Sequence, residues 1–482
     1  MKNIILIDMG CQLIETVSKM EDINAEVVLI GGLPGNFGYK NINIDIGKFK
    51  EFYLCRGYDK DLDFYFNLNN QKLDLTYEEI EQFRHLQLKV EHFFSRTIGD
   101  INCIQNKYYH ALSYWLNIFK NKKIDYVIAS NIYHGELEEM VVSIAKYFNV
   151  QVLMIEIFSS MNIHYRFYGV LNWNAKEYIS LRDYRGSLSE ISQNDIFFKD
   201  RNKIEKNNDK YKTIIHKTIN TLGGSVLTFL ILKMLGKYNV LFLGSKIPFR
   251  VYLSGYFHVK SIIKYYHKNS TKKIKNEKYL YYSLHFDPEA VTQARACISS
   301  QLTLVKMLSD SVPDDIFIYV KEHPDYTMLN SNELSFHLTN IKNFRSKVYY
   351  DEMLKMKNVR LININESSED LVRDSLAVCS ITGSVVLENI SKYKKPILMF
   401  DSKLSPMGMI KDIFKIRSTD DCKNALKQIC NGFTPDYNDF DEILREYTFK
   451  TGVEARDFMS EKDLKCLLEK IDKNPINNIK KI

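Results

Sequence analysis

The hydrophobic positions of the chain form two series of short apolar runs that alternate with helical patterns. The first series predicts four buried strands, at Ile4–Ile7, Ala25–Ile30, Tyr126–Ala129 and Val152–Ile155. Between these strands, the spacing of apolar residues predicts a long helix over Tyr77–Ile118 and a shorter one over Leu137–Phe148. Residues 160–200 show no such pattern, and we expect them to be irregular.

A second series of apolar runs begins at Tyr279 and predicts strands at Tyr279–Leu284, Ile316–Val320, Val359–Ile362, Ala377–Ile381 and Pro396–Phe400. Its predicted helices lie at Val291–Leu308, 345–356, 368–375, 384–392 and Asp441–Ile471. Alternation of strands with helices is typical of a parallel sheet that has helices on its faces. The sequence therefore predicts an α/β protein with two Rossmann-like, doubly wound domains.

The length of 482 residues supports two domains, because single hydrophobic cores stop growing at roughly 250–300 residues. We expect an N-terminal domain over residues 1–200, a basic and partly helical connector over 201–278, and a C-terminal domain over 279–440. A helix within 441–482 is expected to pack back across the molecule. The chain has no G-x-G-x-x-G after its first strand and no G-x-x-x-x-G-K-[ST], which argues against a dehydrogenase and a P-loop enzyme.

The composition indicates a globular protein of a reducing compartment. Hydrophobic residues make up 45% of the chain, and its eight cysteines are scattered without a C-x-x-C pair. The apolar start of the chain meets Asp8 at once, and the most apolar later run, Val226–Leu235, is interrupted by Lys233. We therefore expect a cytoplasmic protein without a signal peptide or a spanning helix.

The net charge of +7 is unevenly distributed along the chain. Residues 201–278 contain 17 Lys or Arg against 3 Asp or Glu, together with apolar and aromatic patches. Such a segment could bind peripherally to the anionic inner face of the plasma membrane, and the alternative is a solvated basic connector. We do not expect nucleic-acid binding, because no recognised motif accompanies the charge.

The strand predicted at Ile316–Val320 is followed by Lys321, Glu322, His323 and Pro324. The proline favours an extended conformation for His323, so that this histidine is held in place. A ring N–H can donate to a phosphate oxygen and stabilise the charge on a departing nucleotide. The alternative is a loop histidine that simply packs beside the proline.

Small and hydroxyl-bearing residues follow the strand predicted at Ala377–Ile381. They are Ser380, Thr382, Gly383 and Ser384, with Glu388 one helical turn later. Free backbone N–H groups and the helix dipole at a helix start attract a phosphate, and Glu388 could accept hydrogen bonds from ribose hydroxyls. The alternative is ordinary capping of the helix by the hydroxyl groups.

Activation of an acceptor hydroxyl requires a carboxylate or an imidazole at the site. Glu136 and His134 follow the strand Tyr126–Ala129 and are candidate catalytic residues, with Glu136 favoured. Asp287, in the loop after Tyr279–Leu284, is a third candidate. The alternative for Glu136 is that it only marks the start of a helix, where an acidic side chain is favourable. The alternative for Asp287 is that it is only the residue before a proline at a helix start, where acids are also favoured. No His, Cys and Asp cluster has convincing metal-ligand spacing, so no metal is expected.

Residues 279–400 resemble the bacterial capsule polysaccharide biosynthesis family, which includes Kdo-type transferases. Four elements match in order: Asp-Pro-Glu at 287–289, Val-Lys-Glu-His-Pro at 320–324, Ile-Thr-Gly-Ser with Glu388 at 381–388, and Lys-Lys-Pro-Ile at 394–397. The His-Pro and Ser/Thr elements are also similar to those of two-domain bacterial sialyltransferases. The chain departs from the family at Asp287, where a Gln is expected, and this departure leaves the donor sugar open.

The resemblance implies a glycosyltransferase of the GT-B type, with two Rossmann-like domains facing a central cleft and a nucleotide sugar bound by the C-terminal domain. It points to a CMP-activated acidic sugar, such as Kdo or another nonulosonic acid, and to metal-independent transfer. The implied acceptor is a glycan or lipid-linked glycan of a capsule or other surface polysaccharide. Two alternatives remain: a nucleotide-sugar 2-epimerase of the same architecture, and a non-catalytic capsule assembly or export factor.

Overall fold

The structure is a computed structural model, and it divides the chain into two compact units. It describes residues 1–8, 13–31, 45–55, 63–96, 98, 100–130, 136–159, 165–181, 241–242, 245–246, 249–287, 292, 296–326, 341–400, 406–452 and 459–473. The first unit consists of Met1–Ile196, Val240–Lys246 and Ile443–Ile482, and the second of Phe197–Asn239 and Ile247–Glu442. Most of the basic connector, residues 201–240, lies outside the described residues.

The strands lie, in chain order, at β1 (Lys2–Asp8), β2 (Ile23–Gly31), β3 (Phe52–Cys55), β4 (Tyr126–Ala129), β5 (Gln151–Ser159), β6 (Tyr165–Asn172), β7 (Glu177–Tyr178), β8 (Leu241–Phe242), β9 (Ser245–Lys246), β10 (Lys278–Ser283), β11 (Ile316–Lys321), β12 (Val359–Ile362), β13 (Ala377–Ser380), β14 (Ile397–Met399), β15 (Ile413–Lys415) and β16 (Thr448–Gly452). Strands β8 and β9 form a small antiparallel ribbon of their own.

The α-helices lie at α1 (Ile14–Lys19), α2 (Phe64–Asn69), α3 (Tyr77–Gln82), α4 (Arg84–Ser95), α5 (Ile101–Asn121), α6 (Glu136–Tyr147), α7 (Phe249–Asn269), α8 (Gln301–Ser309), α9 (Lys347–Leu354), α10 (Ser368–Arg373), α11 (Ser384–Glu388), α12 (Thr419–Cys430), α13 (Asp439–Tyr447) and α14 (Glu461–Lys473). None of the helices that the structure describes is both long and apolar enough to cross a lipid bilayer.

The sheet of the first unit has the strand order β16-β6-β5-β4-β1-β2-β3, with β7 paired to β6. Strands β1 to β5 pair in parallel, whereas β6 and β16 add an antiparallel edge. The middle of β1, Ile4–Ile7, and the whole of β4 consist of apolar residues that are almost completely buried, as is usual for parallel strands covered on both faces. The last helix, α14, packs in the same core through Leu464 and Leu467.

The sheet of the second unit is parallel throughout, in the order β12-β11-β10-β13-β14-β15. Numbered from its own first strand, this order is 3-2-1-4-5-6, the arrangement of the doubly wound dinucleotide-binding folds. The described parts of the first sheet show the related order 3-2-1-4-5. The predicted fold class, α/β with two Rossmann-like parallel sheets, is therefore confirmed.

Several local predictions were wrong. The helix predicted over Tyr77–Ile118 is three helices, because the backbone of Phe83 departs from helical geometry between α3 and α4, and because Asp100 starts α5 by capping the Cys103 amide. The helix predicted over Val291–Leu308 is not continuous: Thr292 is helical, residues 296–300 are not, and α8 begins at Gln301, where the Ser300 hydroxyl accepts from the Thr303 amide.

Two further errors concern strands at the antiparallel edge of the first sheet. Within the stretch 160–200 that the sequence predicts to be irregular, the structure has β6 and β7. The single helix predicted over Asp441–Ile471 is interrupted by β16, which pairs with β6. Edge strands of this kind depend on distant partners, so that their own sequence carries little signal.

Candidate functional site

The candidate site lies at the carboxyl edge of the second sheet, where the order of the strands reverses. Strands β10 and β13 are neighbours there, although β11 and β12 separate them in sequence. Open α/β sheets bind ligands outside the carboxyl ends of their strands at such a switch point. The loops that leave these two strands contain His285 and Asp287 on one side and Thr382 and Gly383 on the other.

The imidazole of His285 connects the two loops. Its Nε2 atom lies 3.3 Å from Ser380 Oγ and accepts a hydrogen bond of 3.4 Å from the backbone N–H of Thr382. Because an amide N–H can only donate, this contact assigns the lone pair to Nε2 and requires a neutral ring. Burial lowers the pKa of His285 from 6.5 to about 4, with Asp287 acting in the opposite direction.

The backbone of His285 is fixed as well as its ring. Its N–H donates to Gln301 Oε1 at 2.8 Å, and its carbonyl oxygen accepts from Gln301 Nε2 at 3.1 Å. The same carbonyl accepts from Arg345 Nη2 at 3.0 Å. Gln301 is the first residue of α8, so the start of this helix anchors the loop after β10.

A buried ion cluster lies behind the loops after β10 and β11. Arg345 is 1% exposed, and its Nε donates to Glu322 Oε2 at 3.0 Å while its Nη1 donates to Asp287 Oδ2 at 2.9 Å. The rings of Tyr326 and Tyr349 lie against the guanidinium carbon at 4.9 and 4.5 Å. Arg345 therefore holds the carboxylates of two neighbouring loops together.

Both carboxylate oxygens of Asp287 have protein partners. Oδ1 accepts from Thr292 Oγ1 at 2.9 Å, and Oδ2 accepts from Gln301 Nε2 as well as from Arg345. The Asp287 backbone carbonyl also accepts from the Tyr326 hydroxyl. This arrangement favours a role for Asp287 in holding the loop over the catalytic role that the sequence allows.

Glu322 and Lys321 are likewise buried, and their charged groups form hydrogen bonds with neighbouring residues. Glu322 accepts from Tyr350 and from the His323 amide, in addition to Arg345. Lys321 Nζ donates to Glu366 O at 2.6 Å and to Ser368 Oγ at 2.8 Å, and burial lowers the pKa of its amine.

His323 is half-buried beside the occupied Glu322, and its ring centre lies 5.9 Å from that of Phe286. Pro324 is exposed and begins a short 3-10 helix, Pro324–Tyr326. Of the four residues predicted here to bind the nucleotide, Lys321 and Glu322 thus use their charged groups within the protein.

The loop after β13 differs in detail from the predicted phosphate site. The α-helix that begins at Ser384 has only five residues and continues as a π-helix over Asn389–Tyr393. The Thr382 amide donates to His285, and the Gly383 amide donates to Ser380 Oγ at 2.9 Å. These two N–H groups are therefore engaged within the protein rather than available to a phosphate.

The hydroxyl groups of this loop do not cap the helix. The N-cap residue is Gly383, and among the described residues no side-chain cap of α11 is present. A β-carbon at Gly383 would lie 2.9 Å from Ser380 Oγ, so the close approach of these two residues requires a glycine. Thr382 is half-buried and Ser384 exposed, while Glu388 ends the helix with its carboxylate 3.6 Å from Lys392 Nζ.

The two candidates of the first unit follow β4 in the sequence. Glu136 is the first residue of α6, and its side chain is not among those described. His134 lies outside the described residues. Within the described part of the chain, no group of three or more His, Cys, Asp or Glu side chains is arranged to hold a metal ion.

The sequence did not indicate Arg345 or Gln301 as residues of the site, and it did not distinguish His285 from the other residues of its loop. Arg345 stands in the polar stretch Lys-Asn-Phe-Arg-Ser, where no pattern indicates burial, and its partners lie 23 and 58 residues away. For His285 a signal did exist, because it follows a strand whose carboxyl end was predicted to face the site.

No protein-family model and no curated protein matches the chain. Among solved structures, Thermosulfurimonas dismutans KpsC, a beta Kdo 2,7 transferase, aligns with 75% of this chain and 89% of its own, at 10% identity and a TM-score of 0.29. The UDP-GlcNAc 2-epimerase from Methanocaldococcus jannaschii aligns with 98% of this chain and 100% of its own, at 11% identity and a TM-score of 0.25. At such values the fold assignment rests on the strand order rather than on these alignments.

Proposed function

We propose that the chain is a glycosyltransferase of the GT-B type that binds a nucleotide sugar at the carboxyl edge of its second sheet. The observation that carries this proposal is the meeting of the loops after β10 and β13 at the switch point, through His285, Ser380 and Thr382. Three of the four ordered motifs that resemble the capsule polysaccharide biosynthesis family lie on these loops and on the neighbouring loop after β11, and the fourth, at 394–397, leads into β14.

The proposed donor is a CMP-activated acidic sugar such as Kdo or another nonulosonic acid, which is what the resemblance implies. The side chains of His323, Thr382 and Ser384 are the proposed phosphate contacts. The backbone amides of Thr382 and Gly383 are not proposed, since they donate to His285 and Ser380. A histidine and hydroxyl groups can stabilise the charge on a leaving nucleotide by hydrogen bonds. The proposed transfer therefore requires no metal ion.

The proposed acceptor is a glycan or lipid-linked glycan of a surface polysaccharide, bound on the side of the first unit. Glu136 or His134 would act as the base that activates its hydroxyl group, because both follow β4 in the sequence. The basic segment 201–278 would bring the enzyme to the inner face of the membrane.

Two steps test the proposal. The first measures whether CMP, UMP or UDP raises the melting temperature of the protein, and we expect CMP to do so. The second incubates the protein with CMP-Kdo and, separately, with UDP-GlcNAc, without an acceptor. Slow release of CMP supports a transferase, whereas conversion of UDP-GlcNAc to its 2-epimer would establish the epimerase instead. If no nucleotide stabilises the protein and every donor stays intact, the proposal is wrong.

A pair of glycine variants locates the site. In Gly383→Ala the new β-carbon would crowd Ser380 Oγ at 2.9 Å, so we expect weaker nucleotide binding. Gly408→Ala is the matched control, because its β-carbon would meet only Met399 Cε at the ordinary distance of 3.5 Å. Equal nucleotide affinity of both variants and the wild type would place the nucleotide elsewhere.

A further inference from the structure

His285 occupies a position in which a histidine is more than a packing residue. Its ring is buried at the point where the loops after β10 and β13 meet, and its Nε2 faces a backbone N–H and a hydroxyl group. The half-buried Thr382 would lose a hydrogen bond of its amide without this acceptor. A neutral imidazole supplies it, and a protonated ring would present a second N–H instead.

We propose that His285 is a positioning residue whose neutral Nε2 accepts from the Thr382 amide and so holds the Ser380–Gly383 loop in its nucleotide-binding conformation. This inference rests on the proposed function, because it assigns a task to His285 within that site. His285 itself acts through the loop rather than by touching the nucleotide.

The contacts around His285 explain how one ring can set the shape of a loop. Gln301 and Arg345 fix the backbone of His285, so that the ring cannot follow a displaced Thr382. On the other side, Ser380 Oγ accepts from the Gly383 amide and faces His285 Nε2. The position of Thr382, and with it of the hydroxyl group proposed to meet the phosphate, is therefore set by the imidazole.

Two amide substitutions separate this role from simple packing. The side chain of Gln can place its oxygen near the position of Nε2, whereas the shorter Asn reaches only the position of Nδ1. His285→Gln should therefore keep the acceptor, and His285→Asn should lose it. His267→Asn is the matched control, since His267 is an exposed histidine of the same unit. Circular dichroism establishes that each variant is folded.

The first measurement needs no nucleotide. Hydrogen–deuterium exchange followed by mass spectrometry reports the protection of the Thr382 and Gly383 amides in the full chain. We expect exchange in the peptide that contains them to accelerate about tenfold in His285→Asn, the effect of one lost buried hydrogen bond, and to stay within about threefold of wild type in His285→Gln. Equal acceleration in both variants, or in neither, would overturn the proposal.

The second measurement is calorimetric titration with CMP and with UMP. For whichever nucleotide the wild type binds, His285→Asn should raise the Kd about tenfold, and His285→Gln and His267→Asn should leave it within about threefold. Unchanged affinity in His285→Asn overturns the positioning role. Failure of the wild type to bind either nucleotide would refute the proposed function, while the exchange experiment would still decide whether His285 holds the loop.

Discussion

The buried imidazole of His285 should make the stability of the second unit depend on pH. Burial lowers the pKa of this ring from 6.5 to about 4. Among the charged groups around it, Asp287 raises this pKa, whereas His323 and Arg345 lower it further. The perturbation that isolates the effect is His285→Gln, which keeps an acceptor at the position of Nε2 but cannot take up a proton.

The sign and size of the effect follow from proton linkage. Between pH 6.5 and about 4, the unfolded chain binds a proton at this histidine and the folded chain does not. The contribution to stability is therefore complete above pH 6.5 and is lost as the pH falls toward 4. Since one pKa unit corresponds to about 1.4 kcal/mol, the loss amounts to about 3 kcal/mol.

The assay must report on the second unit alone. Both tryptophans, Trp115 and Trp173, belong to the first unit, so their fluorescence serves as an internal control. Protection of the amides in β10 and β13, corrected for the intrinsic pH dependence of exchange, gives the free energy of opening of the second sheet. Measured from pH 7.5 to 4, this free energy should fall by about 3 kcal/mol more in the wild type than in His285→Gln.

The comparison between wild type and variant removes the other titrating groups, which are common to both proteins. A difference that stays constant over this range would refute the reasoning, because His285 would then have the same pKa in the folded and unfolded states. A difference that grows toward high pH would reverse the sign and show that the folded protein prefers the protonated ring.

Four further predictions follow. Arg345→Met leaves two buried carboxylates without a counter-ion and should lower the unfolding free energy of the second unit by about 3–5 kcal/mol in denaturant titrations. The exposed Arg373→Met should cost less than about 1 kcal/mol, and equal losses would contradict the cluster's role. His323→Ala should reduce turnover, measured as nucleotide release, about 10²-fold, and activity within twofold of wild type would exclude it from the site. Glu136→Gln should abolish transfer at unchanged nucleotide affinity, and a normal transfer rate would move the base elsewhere. If residues 201–278 dock on membranes, vesicle binding should require acidic lipid, with each basic contact contributing about 1 kcal/mol, and it should weaken as salt is added. Equal binding to neutral vesicles would contradict this.

The parallel core of both sheets could be predicted because its strands are continuous apolar runs. Tyr126–Ala129 and Val359–Ile362 were predicted with the bounds that the structure has. Such runs are the signature of strands buried on both faces, and they need no knowledge of the partner strand. Short strands such as β3 and β15 were missed, since four or three residues give too little pattern to distinguish them from a loop.

The errors in the helices had a local cause that the sequence contains. Asp100 and Ser300 each accept from the amide three residues later, which is the ordinary signal of a helix start. Apolar periodicity continues across both positions, and it concealed the interruption. A capping residue within a long helical pattern therefore deserves more weight than the periodicity around it.

The location of the site could be predicted from the sequence, but the hydrogen bonds and ion pairs within it could not. The carboxyl ends of β10, β11 and β13 could be predicted to meet, because a doubly wound sheet brings such loops to one edge. The sequence did not reveal that Arg345 joins Asp287 and Glu322, since this contact depends on the tertiary fold. For the same reason Asp287 resembled a catalytic acid in the sequence, whereas the structure surrounds it with donors.

The buried charges around Arg345 are not explained by stability alone. Apolar residues of similar volume often replace a buried ion pair without loss of stability, because desolvation of the charges offsets their attraction. Hydrogen bonds have direction, however, and apolar packing has none.

Arg345 fixes the loops after β10 and β11 to each other, and His285 extends the connection to the loop after β13. Two of the three residues proposed to meet the phosphate are tied to this network directly, because the amide of His323 donates to Glu322 and that of Thr382 to His285. A nucleotide that binds here would therefore meet loops whose positions are already set, so little binding energy would be lost in ordering them.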